Sequence, residues 1–194
     1  TRALTINESS STGGTLTDAL ATTVNVNHTG ATASTGLTLT TVAATTVNID
    51  SQGTAPTTGS ALTIADVNIT AATTLNFSGD TAITLTATSD VTALTGYVST
   101  NTAGVTISAT LGTADAFTGG SGADAITVGA SSVVSTLGSG NDTLTASVAL
   151  ATGGSVSGGD GTDTVSMTAA NAVTLSSTAV FEADIASFEV VSIG

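Results

Sequence analysis

Gly119-Gly120-Ser121-Gly122-Ala123-Asp124-Ala125-Ile126-Thr127 and Gly158-Gly159-Asp160-Gly161-Thr162-Asp163-Thr164-Val165-Ser166 share one pattern, G-G-x-G-x-D-x-U-x, with U a large apolar residue. A third stretch, Leu137-Gly138-Ser139-Gly140-Asn141-Asp142-Thr143-Leu144-Thr145, lacks only the first glycine. Glycine admits positive φ and lets a carbonyl approach where a Cβ would obstruct it. The last three residues of each stretch read as a short strand whose Ile126, Leu144 or Val165 points inward. Two nonapeptides make a coil of 18 residues, and Asp124 to Asp142 is a step of 18. Their loops are therefore expected to stack on one side of a β-roll, about 4.7–4.9 Å apart. From Asp142 to Asp163 the step is 21. The half-coil Ala146 to Ser157 is long enough to absorb three extra residues as a bulge or longer turn.

Stacked loops of this composition suit a hard divalent cation. Calcium takes six to eight oxygens at about 2.3–2.6 Å, from carboxylates and backbone carbonyls. The expected ligands are Asp124, Asp142, Asp163 and Asp160, with the loop positions Gly119, Gly120, Gly122, Gly138, Gly140, Asn141, Gly158, Gly159 and Gly161. Two ion-holding gaps follow, one between loops 119–124 and 137–142, the next between 137–142 and 158–163. Asp115 keeps phase with Phe117 but lacks the glycines and a same-side partner, so it is a marginal ligand. Magnesium demands stricter octahedral geometry. Zinc would want Cys or His, and His28 is the only candidate. Without metal the Asp residues crowd like charges together; with Ca2+ they become cohesive and binding energy becomes folding energy. Gly and Asp also mark ordinary turns, a reading against which three phased copies with matching apolar positions weigh heavily.

At these nonapeptides, about 50 residues of the chain, the sequence resembles the RTX family of secreted bacterial proteins and their calcium-binding repeats. The remainder, rich in Thr and free of Lys and Cys, resembles the Gram-negative surface-layer proteins that carry RTX repeats. The resemblance implies export by a type I system, folding outside the cell with Ca2+, and calcium-dependent assembly of copies into a two-dimensional cell-surface lattice. It also implies anchoring to lipopolysaccharide through a separate region, for which no basic patch exists here.

The 194 residues include 44 Thr, 22 Gly, one Pro and no Cys; 40% are apolar, 8% charged and 3% aromatic. This composition favours strands and turns over helices. Arg2 is the single basic side chain against 14 acidic ones, a net charge of -13, so phosphate neutralisation is missing and nucleic acid and anionic lipid are poor partners. Mean hydropathy is +0.44, yet the apolar residues are scattered among Thr and Ser and form no run long enough for a membrane helix. With no disulfides available, metal is the expected staple. No signal series opens the chain and it stops in the strand-like Val190 to Ile193, so an internal fragment of a longer protein is expected.

From Thr1 to Ala109 short alternating runs read as strands, among them Thr23 to Asn27, Leu37 to Thr41, Thr46 to Asp50 and Ala61 to Ala65. The phrase Ala-Thr-Thr-Val-Asn-Val at 21–26 returns as Ala-Thr-Thr-Val-Asn-Ile at 44–49 and Ala-Thr-Thr-Leu-Asn-Phe at 72–77, at offsets of 23 and 28. Such a period suits an all-β solenoid of stacked coils. The irregular offsets leave a β-sandwich open as the alternative for this part. Asn25, Asn48 and Asn76 point outward, either as a stacked ladder or as plain exposed polar positions. Three regions follow: a short-strand solenoid at 1–109, a calcium-binding β-roll at 110–166 and a capping or continuation segment at 167–194.

Around Pro56, Ser51 to Ser60 reads as an exposed loop, and Phe181, Ile185 and Phe188 fall at helical offsets. Glu182, Asp184 and Glu189 form either a further calcium site or a solvated face. His28 reads as an exposed turn residue and Arg2 as a frayed terminal charge. Neither H-E-x-x-H nor G-x-S-x-G occurs, His28 stands alone and Lys is absent, so no catalysis is expected. A structural, self-associating surface-layer protein is the leading expectation. The alternative is a calcium-dependent adhesin or ice-binding module, built on Thr-x-Thr pairs such as Thr38 with Thr40 and Thr84 with Thr86. In the sequence those pairs do not recur in one register, which an ice-matching face would need.

Overall fold

The alternating runs form strands that coil upward in a computed structural model describing residues 2–53, 60–176 and 184–194. In chain order the first half contains β1 (Ala3–Glu8), β2 (Gly14–Thr17), β3 (Thr23–His28), β4 (Ser34–Thr40), β5 (Thr46–Ser51), β6 (Leu62–Asn68), β7 (Thr74–Gly79), β8 (Ile83–Leu85), β9 (Thr88–Asp90) and β10 (Gly96–Ser99). The second half contains β11 (Val105–Leu111), β12 (Ala116–Thr118), β13 (Ala125–Val128), β14 (Val134–Ser139), β15 (Thr143–Ala146), β16 (Ser155–Asp160), β17 (Thr164–Met167), helix α1 (Ala169–Ser176), β18 (Ile185–Ala186) and β19 (Val190–Ile193). Consecutive strands alternate between two sheets, except that β8 and β9 both belong to the second, β9 off its main path. One sheet runs β1-β3-β5-β7-β10-β12-β14-β16-β18, the other β2-β4-β6-β8-β11-β13-β15-β17-β19. The chain is all-β, 52% strand and 4% helix, and makes a parallel β-solenoid of about eight turns.

Parallel pairing removes the β-sandwich alternative for residues 1–109, since a sandwich is built from antiparallel sheets. Both sheets also run on past residue 109, with β11 spanning that point and pairing β8 on one side and β13 on the other. Period-2 geometry sends Val24, Val26, Val47, Ile49, Leu75 and Phe77 inward from the first sheet. They meet Ile64, Ile83, Leu85, Ile107, Ile126, Leu144 and Val165 from the second, all buried. Each such side chain contributes roughly 1.5–3 kcal/mol on burial.

Outward positions are ordered as well. Asn25, Asn48 and Asn76 are register partners. Asn48 Nδ2 donates to Asn25 Oδ1 at 2.8 Å and Asn76 Nδ2 to Asn48 Oδ1 at 3.0 Å, so the three form a ladder. On the outer face of the second sheet Thr63, Thr84, Thr106, Ala125, Thr143 and Thr164 occupy one column. Thr110, Thr127, Thr145 and Ser166 occupy the next. The Thr-x-Thr pairs themselves stay out of register, as expected: Thr38 and Thr40 face Thr15 and Thr17 on one side but Asp66 and Asn68 on the other, and of Thr84 and Thr86 only Thr84 stands in a column. The step from one coil to the next varies from 17 (Thr110 to Thr127) to 29 residues (Val156 to Ile185), which hides the alignment in the linear sequence.

Other expectations need correction. His28 is fully buried at the end of β3, because the β3 alternation places it on the inward side. Arg2 is tied down by an ion pair, Nη2 to Asp18 Oδ2 at 2.6 Å. Ile185 lies in β18 rather than in a helix, although Asp184 directly before it is helical; α1 lies earlier in the chain. Phe181 and Glu182 lie outside the described residues, as do residues 54–59 of the expected loop. Ser51, its first residue, closes β5 and is buried.

Candidate metal centre

The nonapeptide glycines and aspartates fall where the chain crosses from the first sheet to the second, on one edge of the solenoid. Their terminal triplets are β13, β15 and β17, in mutual register: Ile126 opposite Leu144, Leu144 opposite Val165. The 21-residue step keeps this alignment because the extra residues sit in the turn between β15 and β16. Asp124, Asp142 and Asp163, each directly before its triplet, therefore form one column and are 1%, 1% and 0% exposed.

Each carboxylate in the column accepts the amide of the coil before it. Asp124 Oδ1 accepts Val105 N–H at 2.7 Å, Asp142 Oδ1 accepts Asp124 N–H at 2.7 Å and Asp163 Oδ1 accepts Asp142 N–H at 2.8 Å. Glu189 continues the series, its Oε2 accepting Asp163 N–H at 2.7 Å. The second oxygens fare differently. Asp124 Oδ2 accepts Gly120 N–H at 3.3 Å, whereas Asp142 Oδ2 and Asp163 Oδ2 are buried without any partner. An unsatisfied buried carboxylate oxygen is costly. Burial pushes the Asp124 and Asp142 carboxyls up from 3.8 to about 6, opposed by the amide bonds and reinforced by the next carboxylate in the column.

One coil earlier the same edge carries a neutral residue. Buried Asn101 accepts Ala103 and Gly104 N–H at 2.8 Å each through Oδ1, and its Nδ2 donates to the carbonyls of Ser78 and Thr81. Satisfied as it is, Asn101 shows what the edge needs to close without an ion. Asp142 and Asp163 carry one oxygen more than the backbone uses. Neither Asn101 nor Glu189 belongs to a nonapeptide, so spacing did not single them out.

Glycines make the close stacking of these loops possible. Gly159 and Gly161 have φ of +107° and +147°, and a Cβ on either would collide with the carbonyl oxygen of Gly138 or Gly140 in the coil before. Gly138 and Gly140 share the positive φ, while Gly119, Gly120, Gly122 and Gly158 have backbone of a neighbouring coil at or inside contact distance of where a Cβ would stand. Asn141 Oδ1 accepts Thr162 N–H at 3.0 Å and lies at the exposed rim. Asp160 is exposed at the end of β16 and gives the stack its backbone carbonyl, accepting Gly140 N–H at 2.9 Å. Asp115 lies on the opposite edge, buried, with Oδ2 accepting Gly112 N–H at 3.0 Å.

Among the described residues no three His, Cys, Asp or Glu side chains converge on one point. An ion on this edge would have to be held by one or two carboxylates together with loop carbonyls. That donor set, all oxygen and with two orphaned buried carboxylate oxygens facing the loops, fits a hard cation such as Ca2+ and lacks the nitrogen and sulfur of a zinc site. No protein-family model matches the chain, and no curated protein matches it.

Proposed function

We propose that this chain is a calcium-stapled structural segment of a bacterial surface layer. In this reading Ca2+ lies between successive crossing loops, held by the carboxylates of Asp124, Asp142 and Asp163 with carbonyls of loops 119–124, 137–142 and 158–163. The observation that carries it is the pair of buried, unpartnered oxygens Asp142 Oδ2 and Asp163 Oδ2. A cation there turns an electrostatic cost into cohesion, so folding of residues 110–166 depends on the metal. The wider reading rests on the nonapeptide resemblance and the Thr-rich, Lys-free composition: secretion by a type I system, residence at the cell surface, and assembly of copies into a lattice anchored through another region. The role is structural rather than enzymatic.

Calcium titration followed by circular dichroism and light scattering tests both halves of this reading. Strand signal should rise with Ca2+, assemblies should follow, and chelator should reverse both. A chelator-treated chain with unchanged strand signal and unchanged association would overturn it.

A second reading, an ice-binding or adhesive module, is favoured by one observation. The Thr columns on the outer face of the second sheet align hydroxyls from coil to coil, interrupted at Ala125, with rows about 4.7–4.9 Å apart across strands. Inhibition of ice recrystallisation by the calcium-loaded chain, lost on replacing Thr84, Thr106 and Thr143 by bulky Tyr, would support it. Inactivity of the parent chain would remove the ice-binding form.

A further inference from the structure

The ladder of the second sheet opens at one coil. Strand β6 pairs with β8 through Leu62 to Ile64 but with β9 through Val67 and Asn68, and β9 lies off the main strand path. Strand β11 pairs β8 only through Val105 to Ile107, then bulges between Ile107 and Thr110. Between β9 and the far end of β11 the inter-coil pairing is missing. A cleft of about 440 Å³ fills that gap, on the edge opposite the aspartate column, with Thr88, Asp90, Val91, Leu94, Thr110 and Asp115 among its walls.

Dedicated contacts hold the cleft open. Asp66 anchors β9 off the path, accepting Ser89 N–H at 2.9 Å and Ser89 Oγ–H at 2.6 Å. The Gly112 amide fixes Asp115, which is 8% exposed, and burial raises its carboxyl above the usual range. Beneath the cleft Tyr97 is buried, hydrogen-bonded to Thr88 and close enough to Asp115 for that charge to help raise the phenol. Losing ladder bonds at one coil while fixing both walls is what a preformed binding site requires.

We propose that this cleft binds a neutral saccharide. Its volume falls within the range of about 300–1,000 Å³ common to small-molecule sites. The carboxylates of Asp90 and Asp115 accept hydroxyl protons, the Thr hydroxyls donate or accept, and half-buried Val91 offers apolar surface to a sugar ring. Anions are disfavoured, because the chain has one basic side chain and it is paired to Asp18. A bare cation would use only a small part of the volume. The Tyr97 ring is buried and gives no stacking platform, so recognition runs through hydroxyls and carboxylates.

Tyr97 is the single Tyr and Trp is absent, so tyrosine emission reports this cleft alone. The calcium-loaded chain would be titrated with glucose, galactose, mannose, maltose and cellobiose. At least one should change the emission saturably. Asp90→Asn and Asp115→Asn should each weaken that binding about tenfold or more, with circular dichroism unchanged. Asp50→Asn, on the other sheet, should bind as the parent does. Half-buried Asp90 gives a readable variant even if buried Asp115 does not tolerate change. No saturable response to any of these sugars, or equal binding by the Asp90 variant, overturns the proposal. So does Tb3+ emission sensitised by Tyr97 in the parent and lost in that variant, which assigns the cleft to a cation.

Discussion

Removing metal should invert the pH dependence of stability. Burial raises the Asp124 and Asp142 carboxyls from 3.8 to about 6 in the folded chain. A carboxyl whose folded pKa exceeds its unfolded value opposes folding once it ionises. The cost is absent below 3.8, grows between 3.8 and about 6, and is complete above. A shift of roughly two pKa units corresponds to about 3 kcal/mol per group as an upper bound. Solvent screening at the edge of the roll and the coupling of Asp124 to Asp142 reduce this, so the pair is expected to cost ~2–4 kcal/mol in total. Metal-free stability should therefore fall by that amount as pH rises through this window. Bound Ca2+ favours the ionised carboxylates, so with metal stability should rise with pH over the same window. Urea unfolding followed by circular dichroism, in metal-free buffer and in excess Ca2+, gives both curves. If the metal-free chain is unfolded at neutral pH, the same linkage appears as strand gained on acidification. Asp142→Asn should remove about half of the metal-free slope. Parallel curves with and without Ca2+, or metal-free stability that rises from about pH 4 to about pH 6.5, would refute the reasoning.

Other outcomes follow from packing and hydrogen bonding. Gly159→Ala forces a Cβ onto the Gly138 carbonyl at a positive φ and should cost about 2–4 kcal/mol, read as a lowered thermal midpoint in Ca2+. Asn48→Ala removes both ladder bonds of the central rung and should cost ~1–3 kcal/mol by urea midpoint, while Asn76→Ala, which loses one ladder bond, costs less. Leu144→Ala empties a fully buried position between Ile126 and Val165 and should cost roughly 2–5 kcal/mol, weakening apparent Ca2+ affinity with it.

What the sequence disclosed followed from regular spacing. The 18-residue step from Asp124 to Asp142 equals one coil, so the column and the inward Ile126 and Leu144 were legible before any coordinates. The repeated Ala-Thr-Thr phrases likewise aligned three coils, although spacing alone could not decide between an Asn ladder and exposed side chains. Where coil length varies, register is lost to the eye. That concealed the Thr columns, and it concealed that Glu189, readable in the sequence only as part of a further calcium site or a solvated face, continues the column 26 residues after Asp163. Buried His28 was misjudged because a polar residue after a strand resembles a turn. Its Nε2 donates to the Ser60 carbonyl at 3.1 Å, a contact 32 residues away in sequence. The cleft beside β9 arises from ladder bonds that fail to form, and no residue pattern announces that.

Anomalous diffraction from crystals grown in Ca2+ reaches the central claim most directly. Peaks between loops 119–124 and 137–142 and between 137–142 and 158–163, with Asp142 Oδ2 and Asp163 Oδ2 bonded to them, are the predicted result. Well-ordered loops with no peak in either gap, and both oxygens still without a partner, would contradict it.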